Sequence, residues 1–207
     1  MTTRRSMLMA VTALPACAGC ATDSLWPKPP PLPALYALES DPVPVPAAPS
    51  AAQPQRPSIV VATPRAAPGY DGNQIVYQRR AQQIEHFAFA RWVDSPAQML
   101  ASLVVATLQR SGSFSVVVSA SAATAAELRL DIELIRLLHD FTVEPSRVRL
   151  TLRATLIDAP RRRVLATREF DVSETATSDD PYGGVVAAQR AVVRALAELA
   201  TFCSAAV

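Results

Sequence analysis

Cys17 and Cys20 stand three residues apart in LPACAGCA, residues 14–21, and only Cys203 adds a third thiol to the 207-residue chain. A pair at that spacing can close a disulfide, hold a metal ion or carry a covalent group. No His, Asp or Glu lies between the two to complete a zinc site, so no metal is expected. His139, with Asp140 beside it and Ser146 downstream, could be drawn as a hydrolytic set. No sharp glycine elbow frames any serine, however, and His139 falls at a strand end, so no catalytic residue is assigned. The six glycines form no phosphate-cradling loop, which argues against nucleotide binding. Arg161, Arg162 and Arg163 make a basic knot, readable as a solvated turn or as a contact for anionic head groups or an acidic partner surface. Tyr70, Asp71 and Gly72 sit in PGYDG, an ordinary loop or one that offers an aromatic anchor to a partner, with Gly69 and Gly72 free to take positive φ.

The surroundings of the paired cysteines favour attachment. Arg4 and Arg5 give a positive head, residues 6–15 an uncharged apolar run, and small residues follow. This is the layout of an export signal, and the run is too short to span a bilayer as a helix, which takes about 20 apolar residues. The stretch resembles a bacterial lipobox, in which the thiol is acylated and the cysteine becomes the first mature residue. Cys17 has Leu14 and Ala16 in the expected places with Pro15 between them, whereas Cys20 has Ala18 and Gly19 but Cys17 in the aliphatic place. Both remain candidates for the lipid, and a plain cleaved signal releasing a soluble protein is the alternative. The next residue is Ala18 or Ala21 rather than Asp, which resembles lipoproteins sent to the periplasmic side of the outer membrane. Residues 1–19 are thus read as signal and lipobox. Residues 20–34 are proline-rich and read as an extended tether, and residues 35–207 as one domain.

That domain must supply the elements that position the remaining candidates. A net charge of +2 is too small to argue for nucleic acid, and half the chain is hydrophobic, ample for a core. Residues 41–57 form a second proline-rich stretch, read as a long loop. Residues 35–39, 58–62, 75–77, 85–92 and 114–118 read as strands. Ser95-Pro96-Ala97-Gln98 has the cap, first-turn proline and box residue of a helix start, and Ser111-Gly112 stops that helix. From Glu127 apolar and charged residues alternate to Leu134, then slip phase, as at a bulge. Residues 147–157 repeat the alternation, and residues 164–172 return with Val164, Ala166, Phe170 and Val172 on one face, interrupted by Arg168 near an edge. Asp180-Pro181 opens a last helix with an apolar stripe that takes in Cys203 as a free thiol. The expected class is α+β, a two-layer sandwich whose mainly antiparallel sheet packs two helices on one face and leaves the other wet.

The order of features resembles a known family. The lipobox is followed by Tyr36-Ala37-Leu38, Ile59-Val60-Val61, Tyr70-Asp71-Gly72, Ile75-Val76-Tyr77, then Arg91-Trp92 ahead of Pro96 and Leu100. This looks like the ABC-type transport auxiliary lipoprotein component family, the PqiC-like lipoproteins. The resemblance implies a non-enzymatic, lipid-anchored part of an intermembrane lipid transport system. Its expected partners are an ABC permease complex and a periplasmic protein with mammalian cell entry (MCE) domains, and its only expected cofactor is the covalent lipid. A homo-oligomer is compatible with it. A secreted hydrolase and a structural outer-membrane lipoprotein without a transport role are the rival readings.

Overall fold

The computed structural model describes residues 30–39, 56–120 and 126–206. Cys17, Cys20, the 1–19 signal, most of the 20–34 tether and nearly all of the 41–57 loop lie outside them. In chain order the elements are β1 (Ala34–Tyr36), β2 (Ser58–Val61), β3 (Arg65–Ala66), β4 (Gln74–Arg80), β5 (Gln83–Trp92), α1 (Pro96–Ser111), β6 (Val116–Ser119), β7 (Leu128–Asp140), β8 (Arg147–Asp158), β9 (Arg163–Thr175) and α2 (Pro181–Ala205).

The period-two segments make β7, β8 and β9, and these form an antiparallel meander within the mainly antiparallel sheet expected. The phase slip after Leu134 is a bulge, with Leu134 opposite Leu152 and Arg136 opposite Thr151. The opposite edge of β7 carries three strands in succession, all parallel to it. β2 pairs along Leu128–Leu130, β3 meets Glu133 and Leu134, and β4 meets His139 and Asp140. β6 then adds to β2, β5 adds to β4, and β1 adds to β5. The long pairs are therefore antiparallel, while the short ones beyond β7 are mostly parallel.

Leu130, Leu134, Leu150, Leu152, Leu156 and Phe170 fill the inner face, each at most 1% exposed. Each such side chain contributes about 1.5–3 kcal/mol by leaving water. α1 and α2 cover this face. Ala187, Ala188, Ala191 and Ala195 on α2 are buried, and small side chains let a helix approach a sheet of leucines closely. Cys203 is fully buried here, which pushes its thiol up to about 12.

Ser95 caps α1 by accepting from the Gln98 amide, and Gly112 ends it at φ 63°. The Ser95 amide donates to Asp94 Oδ1 at 2.6 Å, where the expected box would have used Gln98. Asp180 caps α2 by accepting from the Gly183 amide at 2.8 Å. Arg153 bridges Glu133 and Glu169 across the outer face at 3.0 and 3.1 Å. Arg168 lies on edge strand β9, stacks on Phe170 and reaches Glu198 of α2.

Val164 departs from expectation. Leu156 pairs with Ala166 but Ile157 pairs with Val164, so Leu165 is bulged out and Val164 turns to the outer face, 56% exposed. Gly69 uses its freedom at φ 89°, whereas the left-handed glycines do not include Gly72.

Candidate functional site

The candidate residues fall in three places. The first lies under the start of α2. His139 Nε2 and Ser146 Oγ are 3.0 Å apart, and Ser146 Oγ donates to Asp179 Oδ1 at 2.5 Å. With the serine proton given to Asp179, Nε2 must donate to Ser146 and Nδ1 carries the lone pair. Nδ1 has no hydrogen-bond partner and faces Gly184 of α2, where a Cβ would strike the imidazole. The Phe141 ring covers His139 at 4.1 Å between centroids. Burial holds His139 below its ordinary pKa, against the opposing pull of Asp179, Asp180 and Asp140.

This order is the reverse of a nucleophilic triad, in which the histidine stands between serine and carboxylate and offers the serine its lone pair. Ser146 is 3% exposed, so a substrate carbonyl has no path to it. Asp140 takes no part, because it accepts from the Thr142 amide and hydroxyl and from Gln78. Those donors, with the nearby Arg149 charge, hold it below its ordinary value even though burial pushes it up. The arrangement is a buried structural relay that ties β7 and β8 to the approach to α2.

The second place is the Tyr70 loop between β3 and β4. The Ala67 amide donates to the Leu134 carbonyl at 2.8 Å and the Tyr70 amide to Ala67 at 3.0 Å, which lays the loop along the middle of β7. Tyr70 is half-buried, with Asp71 and Gly72 exposed beside it. Burial raises its phenol, and Arg136 and Arg149 pull it partly back. The tyrosine thus stands within the field of two outer-face arginines, a neighbourhood with no signal in the local sequence.

The third place is the β8–β9 turn. Arg161 donates to Asp158 through its amide at 3.0 Å and its side chain at 2.9 Å. Arg162 takes φ 51°, in the left-handed region. Arg162, Arg129, Val60, Ile157, Ala159 and Pro160, with Ala126, line an open groove of about 630 Å³. Arg163 begins β9 opposite Asp158. The arginine knot and the Tyr70 loop therefore lie apart, on the order of 25 Å along β7 at about 3.3 Å per residue.

Among the described residues no three His, Cys, Asp or Glu gather to hold a metal ion, and no helix is long and apolar enough to cross a membrane.

The sequence model of a family described as "ABC-type transport auxiliary lipoprotein component" matches residues 36–200. A crystal structure of a Xanthomonas campestris protein of family DUF330 superimposes with a TM-score of 0.72 at 24% identity, over 84% of this chain and 96% of that one. A second crystal structure, of an uncharacterized protein, gives a TM-score of 0.64 at 17% identity over 84% and 99%. At these identities the two share the fold and nothing finer. No match was found among curated protein sequences.

Proposed function

This chain belongs to the ABC-type transport auxiliary lipoprotein component family, and from that premise we propose that it serves an ABC/MCE-type intermembrane lipid transport system as a docking or structural component. The observation that carries the reading is the family match across residues 36–200, nearly the whole of the folded chain. The buried relay supports a non-catalytic role, since its one serine–histidine pair has the wrong proton order and no access.

In this reading the acylated Cys17 or Cys20 holds the chain to the periplasmic side of the outer membrane, and the 20–34 tether sets its reach. Tethering raises the effective concentration of the partner surface, so each contact can be weak. Tyr70, Asp71 and Gly72, exposed or half-buried over the outer face, are the proposed contact for the MCE-domain protein, and Arg161, Arg162 and Arg163 form a second contact region. Homo-oligomers of the domain are compatible with this arrangement.

The test is purification of the tagged full-length chain from its own membranes in mild detergent. Co-purification of a permease, its ATPase and an MCE-domain protein, with acyl mass on Cys17 or Cys20, is expected. Recovery of an unacylated chain without those proteins refutes the proposal.

A further inference from the structure

The outer face of the sheet is polar along most of its length, but its end at the β8–β9 turn is not. The strand registers align Val118, Val60, Arg129, Ile157 and Val164 in one row across β6, β2, β7, β8 and β9. Val116 lies on the same face of β6 as Val118. Val116 and Val164, towards the two ends of the row, are 49% and 56% exposed. Val164 reaches this face only because Leu165 is bulged out of register. Single exposed aliphatics are ordinary on a protein surface. Four aliphatics in one row, with Arg129 as the single charge among them, are less ordinary, and they mark a surface that meets something.

The charges around the row are unbalanced. Asp131 is engaged with Arg129, Asp158 with Arg161, and Glu127 with the amide and hydroxyl of Ser58. Arg162, lining the groove, and Arg163, at the head of β9, form no ion pair among the described residues. The left-handed residue of the turn is thus an arginine, where glycine or asparagine would sit with less strain.

We infer that this end of the domain is a membrane contact of its own, separate from any acyl anchor. The valines and Ile157 seat at the surface of a bilayer that contains anionic phospholipid, with the guanidinium of Arg162 on its phosphates and the unpaired charge of Arg163 adding to the attraction. A bilayer is the occupant that fits best. A fluid anionic surface needs no matching pocket and favours an apolar strip with a cationic rim. The inference goes beyond the transport reading and does not depend on it.

The experiment uses the full-length chain carrying Cys17→Ala and Cys20→Ala, with Val164→Cys labelled by an environment-sensitive fluorophore. Cys203 is fully buried and stays unlabelled. The probes are vesicles of phosphatidylcholine alone and of phosphatidylcholine with phosphatidylglycerol. The label should shift to the blue only with the anionic vesicles. The same label at Tyr182→Cys, exposed at the far end beside the start of α2, should not shift. Arg162→Glu with Arg163→Glu should lower partitioning more than tenfold, since each arginine near an anionic surface is worth about fivefold. Arg80→Glu with Arg147→Glu makes the same charge change at the far end and should lower it much less, and circular dichroism confirms that each variant is folded. A Val164 label silent on anionic vesicles, or equal losses from the two charge pairs, overturns the inference; a silent label with transport lost in the Arg162/Arg163 variant assigns the row to an acidic protein instead.

Discussion

Gly184→Ala tests the packing of α2 against the buried histidine. A Cβ at this position lands on Nδ1, Cε1 and Cγ of His139, and the ring cannot swing away without losing Ser146. Overpacking of this kind costs about 1–3 kcal/mol. Replacing a helical glycine by alanine returns up to about 1 kcal/mol, so a net loss of about 0–2 kcal/mol is expected. In a His139→Ala background the obstacle is gone, the added methyl enters vacated space, and the same substitution should stabilise by up to about 1 kcal/mol. The sign of the effect therefore reverses between backgrounds, with a coupling of about 1–3 kcal/mol. Urea denaturation of all four proteins, followed by far-ultraviolet circular dichroism, measures it. Equal losses from Gly184→Ala in both backgrounds would refute the placement of the imidazole beneath the first turn of α2.

Three further outcomes are expected. The unfolded chain takes up a proton on His139 near the ordinary value of 6.5, whereas burial in the native state holds that group lower. Stability is therefore full above that pH and falls as pH drops from it to the native value. Urea midpoints measured between about pH 8 and about pH 5 should decline for the wild type. The decline should be absent from His139→Gln, which keeps an N–H donor for Ser146, and an equal slope in both proteins counts against the assignment. Phe170→Ala should cost about 3–5 kcal/mol and Val164→Ser no more than about 0.5 kcal/mol in the same denaturation assay; a large loss from Val164→Ser would show that the bulge is misplaced. Cys203, fully buried with its thiol pushed up to about 12, should resist iodoacetamide in the native chain and react only on unfolding, as mass spectrometry would reveal.

The meander was legible because alternation at 128–134 and 147–157 states both the strand and its buried face. Both helix starts were legible because Ser95-Pro96 and Asp180-Pro181 carry cap and first-turn chemistry in adjacent residues. The parallel strands on the other edge of β7 were not, because nothing in SIVV or in Arg65-Ala66 names a partner about 70 residues later. Val164 was placed on the wrong face because alternation cannot show a bulge that swallows one residue, Leu165. Asp179 replaced Asp140 beside Ser146 for a related reason. Asp140 is adjacent to His139 in sequence but its side chain leaves on the opposite face of the strand, while Asp179 is brought back by the whole β8–β9 hairpin. The valine row was hidden because each of its members comes from a different strand.

Because β2, β3 and β4 all dock on β7, the first half of the chain has no completed sheet until residues 128–140 exist. A ribosome that has made only 120 residues holds β1, β5 and β4 as one set of partners and β2 and β6 as another, with no central strand to join them. Pairings of such long range close slowly. A polypeptide built this way stays threadable while it is synthesised, and it locks into shape only after its central strand has arrived.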